Sequence, residues 1–303
     1  MLIDRLVKRI NALSSPIVVG LDPREDMIPA FLFRESDCPL KTVSNAFLAF
    51  NKAIIDAVCD IVPAVKPQVA MYEQYGVAGL DAYLKTIEYA KSKGLIVIGD
   101  IKRGDIASTA EAYSNMHIGR VNALGKSVEV AQTDFITVNP YMGFDSVEPY
   151  LADCRAYDKG LFVLVKTSNK GSKDIQDMML ANGGTLHEHV GSLVQAWGRE
   201  FVGESGYSNI GAVVGATHPQ ELADLRKKMP HTFFLVPGYG AQGGSGKDLK
   251  DLWTKNYGAI VNNSRGIIAA YKTEKYKCGE ENFAQASRQA VLDMKADLGA
   301  YLP

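Results

Sequence analysis

The stretch Leu95-Ile96-Val97-Ile98-Gly99-Asp100-Ile101-Lys102-Arg103-Gly104-Asp105-Ile106 decides the fold. Its first five residues are apolar without polar alternation, which predicts a strand buried on both faces. If the strand runs on to Lys102, then Asp100 and Lys102 stand two apart and leave it on the same side. Asp105 follows within a turn. A carboxylate, an ammonium and a second carboxylate then gather beyond the carboxyl end of a buried strand, where parallel α/β folds do their chemistry. The stretch alone also fits a plainer account. Strand-to-helix loops are polar, Asp105 makes a good helix N-cap, and Ser108-Thr109-Ala110-Glu111 has the spacing of a capping box. The rest of the chain decides between them.

Outward from this segment the pattern is strand, then helix, repeated. Apolar strand candidates lie at 17–22, 63–66, 95–102, 134–138, 161–166, 210–215, 232–236 and 259–262. Helix-period segments fall at 42–60, 78–93, 105–125, 145–157, 185–204, 219–228 and 247–253, and a last one near 282–298 closes the chain. Eight such units with no proline- or serine-rich linker predict an α/β fold: a single (β/α)8 barrel domain over 1–303. A doubly wound open sheet needs fewer repeats. Two connections are long, 23–41 after the first strand and 167–184 after the fifth, as expected of lids or binding loops.

Composition agrees with a soluble globular protein and excludes other classes. Hydrophobic residues make up 47% and charged residues 22% of the 303 positions, and the net charge is −1. No basic field argues for nucleic acid. Cys38, Cys59, Cys154 and Cys278 form no Cys-x-x-Cys pair, so they read as reduced thiols of a cytoplasmic protein. The first ten residues place apolar side chains at helical spacing around Asp4, which suits a short amphipathic helix under the barrel better than a secretion signal. No stretch approaches the roughly 20 apolar residues of a membrane span.

Charges end the apolar runs. Asp22 closes the first strand candidate, Lys66 the second, and Asp100 with Lys102 the third. One such residue is ordinarily just solvated. Four on three consecutive strands, alternating in sign, suggest a row of opposite charges, Lys66, Asp100, Lys102 and Asp105, each holding the next. After the seventh strand, Gly238-Tyr239-Gly240-Ala241-Gln242-Gly243 spells a Gly-x-Gly-x-x-Gly. A dinucleotide reading fails, because the motif follows the wrong strand and no acidic residue ends a strand some 20 residues on. A glycine-rich loop seven, with Asn262-Asn263-Ser264-Arg265-Gly266 after strand eight, is instead where barrels grip phosphate, and Arg265 supplies a fixed cationic fork. Val165-Lys166-Thr167-Ser168-Asn169 ends the fifth strand with groups able either to read a polar ring edge or to cap the loop. The five histidines match no metal-ligand spacing.

Together these residues resemble the orotidine 5′-phosphate decarboxylase family, and more narrowly its longer, type 2 subfamily. The resemblance runs from Gly20-Leu21-Asp22-Pro23-Arg24 to Asn262-Asn263-Ser264-Arg265-Gly266. The Asp-x-Lys-x-x-Asp core is shared with other sugar-phosphate enzymes of the barrel superfamily. It becomes specific beside Asp22, Lys66, Val138-Asn139-Pro140-Tyr141, Pro237-Gly238-Tyr239-Gly240-Ala241-Gln242 and Arg265. The resemblance implies decarboxylation of orotidine 5′-monophosphate to uridine 5′-monophosphate, with no metal or organic cofactor. It assigns the ring proton to Lys102, and to Asp100 the place beside the leaving carboxylate. Asp105 and Thr109 would enter a neighbouring subunit's site, making the enzyme a homodimer. Asp22 and Lys66 would meet the ribose hydroxyls, Ser168 the pyrimidine edge, and Gln242 with Arg265 the phosphate. Three rival readings are a metal-dependent enzyme of the same superfamily, a Schiff-base aldolase and an inactive phosphate-binding barrel.

Overall fold

The computed structural model describes every residue except Asn182, Ala241, Gln242 and Pro303. Eight parallel strands close into a barrel. In chain order they are Ile17–Leu21, Ala64–Pro67, Ile96–Arg103, Phe135–Val138, Gly160–Lys166, Ser208–Val214, Thr232–Val236 and Ala259–Asn263. Each pairs with its neighbour in sequence order, and the eighth returns to the first through Ile17 opposite Val261. Apolar side chains packed from outside cover the second face of the strands, which is why the strands are predominantly apolar.

The interior is ordered by the two-residue period of a strand. Val18, Ala64, Ile96, Ile98, Phe135 and Phe162 point inward and meet at the bottom. The amino-terminal helix Leu2–Leu13 plugs that end, burying Leu2, Ile3, Leu6 and Ile10 against them. Its first amides would be orphaned there. Asp158 Oδ1 accepts the Leu2 N–H and Asn209 Oδ1 the Ile3 N–H, both at 2.8 Å. Two residues further up each strand, the inward rows turn polar: Lys66 above Ala64, Asp100 above Ile98, Thr137 above Phe135. The functional end is thus the continuation of the hydrophobic rows, with the same parity.

The third strand is irregular near its end. Its register with the fourth shifts between Gly99 and Arg103, and Lys102 sits in the left-handed region at φ 48°. Such irregularities re-aim a side chain at the rim of a sheet. Lys102 therefore reaches Asp100 through a distorted backbone, where the sequence suggested a plain extended one.

Several segments differ from expectation. The helix expected at 105–125 runs only from Ala107 to His117, and Val121–Ala123 pairs antiparallel with Lys126–Val128. Leu124 and Gly125 make the turn at φ 52° and 77°, the positive pair that tight hairpins require. The helix expected at 185–204 stops at Trp197, and 247–253 holds one 3-10 turn, Gly246–Leu249. The long connections have structure of their own. Residues 23–41 contain turns Glu25–Met27 and Ala30–Leu32, and the next helix starts at Pro39. Residues 167–184 contain Lys170–Ser172 and helix Lys173–Gln176. Among the described residues, no helix is long and apolar enough to cross a membrane.

Candidate active site

A cavity of about 640 Å³ opens at the carboxyl ends of the strands, and Asp22, Lys66, Asp100, Lys102, Ser168 and Arg265 all line it. At its floor Lys66 Nζ donates to Asp100 Oδ2 at 2.6 Å. Lys102 Nζ donates to the other carboxylate oxygen, Oδ1. The Thr137 hydroxyl also donates to Oδ1, at 2.9 Å, and accepts the Lys102 backbone N–H at 3.0 Å. The side chains of Lys66 and Asp100 are buried, whereas that of Lys102 is 43% exposed and faces the cavity.

The electrostatics follow from this chain of contacts. Burial pushes the Asp100 carboxyl up, but the ammonium groups of Lys66 and Lys102 outweigh it and hold it well below the usual carboxylate range. Burial likewise opposes charge on Lys66, and the Asp100 and Asp22 carboxylates reverse that, raising its pKa. Lys66 and Asp100 therefore both carry charge at neutral pH. Asp22 Oδ1 is buried and has no hydrogen-bond partner among the described residues, although Asp22 lines the cavity, and the same holds for Asn262 Oδ1. Buried acceptors of this kind are costly unless something else donates to them. The arrangement offers one partly exposed ammonium, a carboxylate pinned between two cations, and acceptors beside them that no described residue satisfies.

One charge of the proposed row lies apart. Asp105 does not line the cavity; its Oδ1 accepts the Ile106 N–H at 2.8 Å. Thr109 is exposed on helix Ala107–His117. That helix has Ile106 as its N-cap, so neither Asp105 nor the 108–111 spacing starts it. Gln242 lies outside the described residues. On the opposite wall, Arg265 opens the short helix Arg265–Ile268, and Gly20 lets the first strand approach Ser264, whose Oγ would stand 1.8 Å from an added Cβ.

Sequence reasoning missed several participants. Thr137 reads as an ordinary β-branched strand residue, and nothing local marks it as the link between Asp100 and the Lys102 backbone. Lys166 was visible at a strand end, yet its complete burial was not: its ammonium is paired with Asp177 from the loop that follows. The neighbouring Gln176 accepts the Thr167 N–H at 2.9 Å and donates to the Thr167 hydroxyl at 2.8 Å, so this loop is bolted to the strand that presents Ser168. His187 supports the loop by bonding the Gln176 carbonyl at 2.9 Å. No group of three or more His, Cys, Asp or Glu is gathered as a metal cluster among the described residues.

Comparison with known proteins bears on this geometry. The chain matches the model of the "Orotidine 5'-phosphate decarboxylase / HUMPS family" over residues 15–277. It is 43% identical over 299 residues to orotidine 5'-phosphate decarboxylase of Clostridium novyi (strain NT), covering 99% of each chain. It is 44% identical over 299 residues to the protein of that name from Petrotoga mobilis, covering 98% of each. The structure of Leishmania donovani OMP decarboxylase superposes with a TM-score of 0.73 at 30% identity, over 99% of this chain and 98% of that one. Leishmania donovani UMP synthase gives 0.74 at 32% identity, with this chain covered to 99% and spanning 55% of that longer one. The barrel, the charges at its mouth and a match that extends over nearly the whole sequence have one common source: the chain belongs to the orotidine 5′-phosphate decarboxylase / HUMPS family.

Proposed function

We propose that this chain removes CO2 from orotidine 5′-monophosphate and releases uridine 5′-monophosphate, the last step of de novo pyrimidine synthesis. The observation that carries the reading is the Lys66–Asp100–Lys102 chain of charges on the cavity floor. Loss of CO2 leaves an electron pair on the ring carbon. Lys102, the exposed end of the chain of charges, is the cation beside that carbon and donates the proton that replaces CO2. Asp100 orients Lys102. Its negative field also disfavours the substrate carboxylate relative to the product.

The remaining assignments follow the unsatisfied groups. Asp22, with its orphaned oxygen, accepts from a ribose hydroxyl, and Lys66 donates to the ribose. Ser168 meets the pyrimidine edge. Arg265 binds the phosphate, with Gln242 as its partner. Enzymes lower barriers by up to roughly 23 kcal/mol, more than one ammonium supplies, so phosphate binding remote from the ring contributes as well.

Asp105 and Thr109 act in the second site of a homodimer. In support, Ile106 and Tyr141 are 56% and 81% exposed on two segments that meet where Gly104 packs on Asn139. Apolar side chains left open beside unused polar ones suit a surface that a second copy covers. The whole chain is one domain, and its place is the cytoplasm.

The test is the ultraviolet spectrum of orotidine 5′-monophosphate mixed with the purified protein and a metal chelator. Conversion to uridine 5′-monophosphate, abolished in Lys102→Ala, is expected. No spectral change with folded protein would overturn the assignment.

A further inference from the structure

The glycine-rich stretch after the seventh strand is held by a residue from the far end of the chain. Asp297 lies in the last turn of helix Phe283–Gly299. Its Oδ2 accepts the Tyr239 phenol at 2.7 Å and the Gly246 backbone N–H at 2.8 Å. One carboxylate oxygen therefore ties two points of the chain that stand seven residues apart. The approach at Gly246 is close: a Cβ there would meet Asp297 O at 2.7 Å and Oδ2 at 2.9 Å. Burial and the Asp297 carboxylate both raise the Tyr239 pKa, so the phenol remains a donor at neutral pH.

These contacts are not needed to dock the helix. Phe283, Ala286, Ala290, Val291, Met294 and Leu298 already bury its apolar face. The Asp297 bonds lead instead toward the cavity. Tyr239 lines it. Gly240, next in sequence, packs against Asn263, whose Nδ2 would be 3.4 Å from an added Cβ. Asn263 Oδ1 in turn accepts the Gly266 N–H at 3.2 Å, in the turn that presents Arg265. The contacts thus pass from Asp297 through Tyr239 and Gly240 to Asn263 and the segment bearing the proposed phosphate ligand.

We propose that Asp297 is a positioning residue for the phosphate end of the site: by fixing Tyr239 and Gly246 it holds the wall against which Arg265 binds the substrate phosphate. The inference rests on the reading of the substrate as a nucleoside monophosphate. A group that only stabilises the fold would affect all substrates alike. A group that positions the phosphate wall affects only those that carry the phosphate.

The experiment compares kcat/KM for orotidine 5′-monophosphate and for orotidine, which lacks the phosphate, in the full-length protein. Asp297→Ala is expected to lower the value for the phosphorylated substrate by on the order of 10²-fold, the scale of a small misplacement of binding groups, and to leave orotidine turnover unchanged. Asp297→Asn, whose amide oxygen still accepts both bonds, is expected to restore most of the loss. Equal losses on both substrates, no loss on either, or an Asn variant as impaired as the Ala variant while wild type is active would overturn this inference alone. Wild-type protein inert toward both substrates would overturn the decarboxylase reading and this inference with it.

Discussion

Lys66 and Asp100 are joined by a 2.6 Å bond between Nζ and Oδ2, with 4% and 9% of their side-chain surfaces left exposed. Removing one member of such a pair strands the other in a poorly solvated place. Lys66→Met is therefore expected to destabilise the fold by about 3 kcal/mol, the lower end for a broken buried pair, because Asp100 keeps Lys102 and Thr137. The double variant Lys66→Met/Asp100→Leu should recover most of that stability and none of the turnover. Urea unfolding of the wild type and both variants, beside an activity assay, measures this. A double variant less stable than Lys66→Met would refute it.

Lys102 carries a different kind of cost. A side chain at φ 48° costs roughly 1–2 kcal/mol, part of which glycine gives back through its freer unfolded state. Lys102→Gly should then be more stable than Lys102→Ala by about 0.5–1 kcal/mol, with both inactive. Thermal or denaturant unfolding of the two variants decides. Equal stabilities would mean that the backbone relaxes without glycine.

The proposed shared-site arrangement predicts complementation. Lys102→Ala and Asp105→Ala homodimers should each be nearly inactive, and mixing them should restore up to about a quarter of wild-type activity per total site, because half the chains enter heterodimers and each heterodimer rebuilds one site of two. Activity of the mixture is read after subunit exchange is verified by mass. Heterodimers without recovered activity would place Asp105 outside the chemistry.

His117 sets an acid limit. Burial first, and the Arg103 charge second, lower its pKa to about 4. The unfolded chain takes up its proton near pH 6.5. Between those values the unfolded state binds more protons, so stability is full above about 6.5 and falls as the pH drops to about 4. The contribution amounts to roughly 3 kcal/mol at most. In His117→Gln this part of the slope should vanish. Denaturant midpoints at pH 7, 5.5 and 4 supply the test, and parallel curves for the two proteins would contradict it.

The fold was legible because the strands are covered on both faces, so most appear as apolar runs, several of them closed by a polar residue. Lys66, Asp100 and Lys102 were legible for the same reason: a charge at the end of such a run stands out. The hairpin at 121–128 was not. Val121, Leu124 and Val128 stand three and four apart, which imitates a helical stripe, while all three are exposed in the chain. Leu124 also occupies a positive-φ turn position where asparagine or glycine would have signalled the bend. Thr137 was hidden by its own strand propensity. The Asp177 partner of Lys166 was hidden because the pairing crosses a loop whose path no local pattern specifies.

The left-handed backbone at Lys102 has a consequence for how the protein can change. Selection for a relaxed backbone alone would favour glycine there, and with it lose the Lys102 ammonium that lines the cavity. Improved variants chosen by melting temperature should accordingly be screened for turnover at every round, because a step that relaxes the backbone at Lys102 also removes the proposed proton donor.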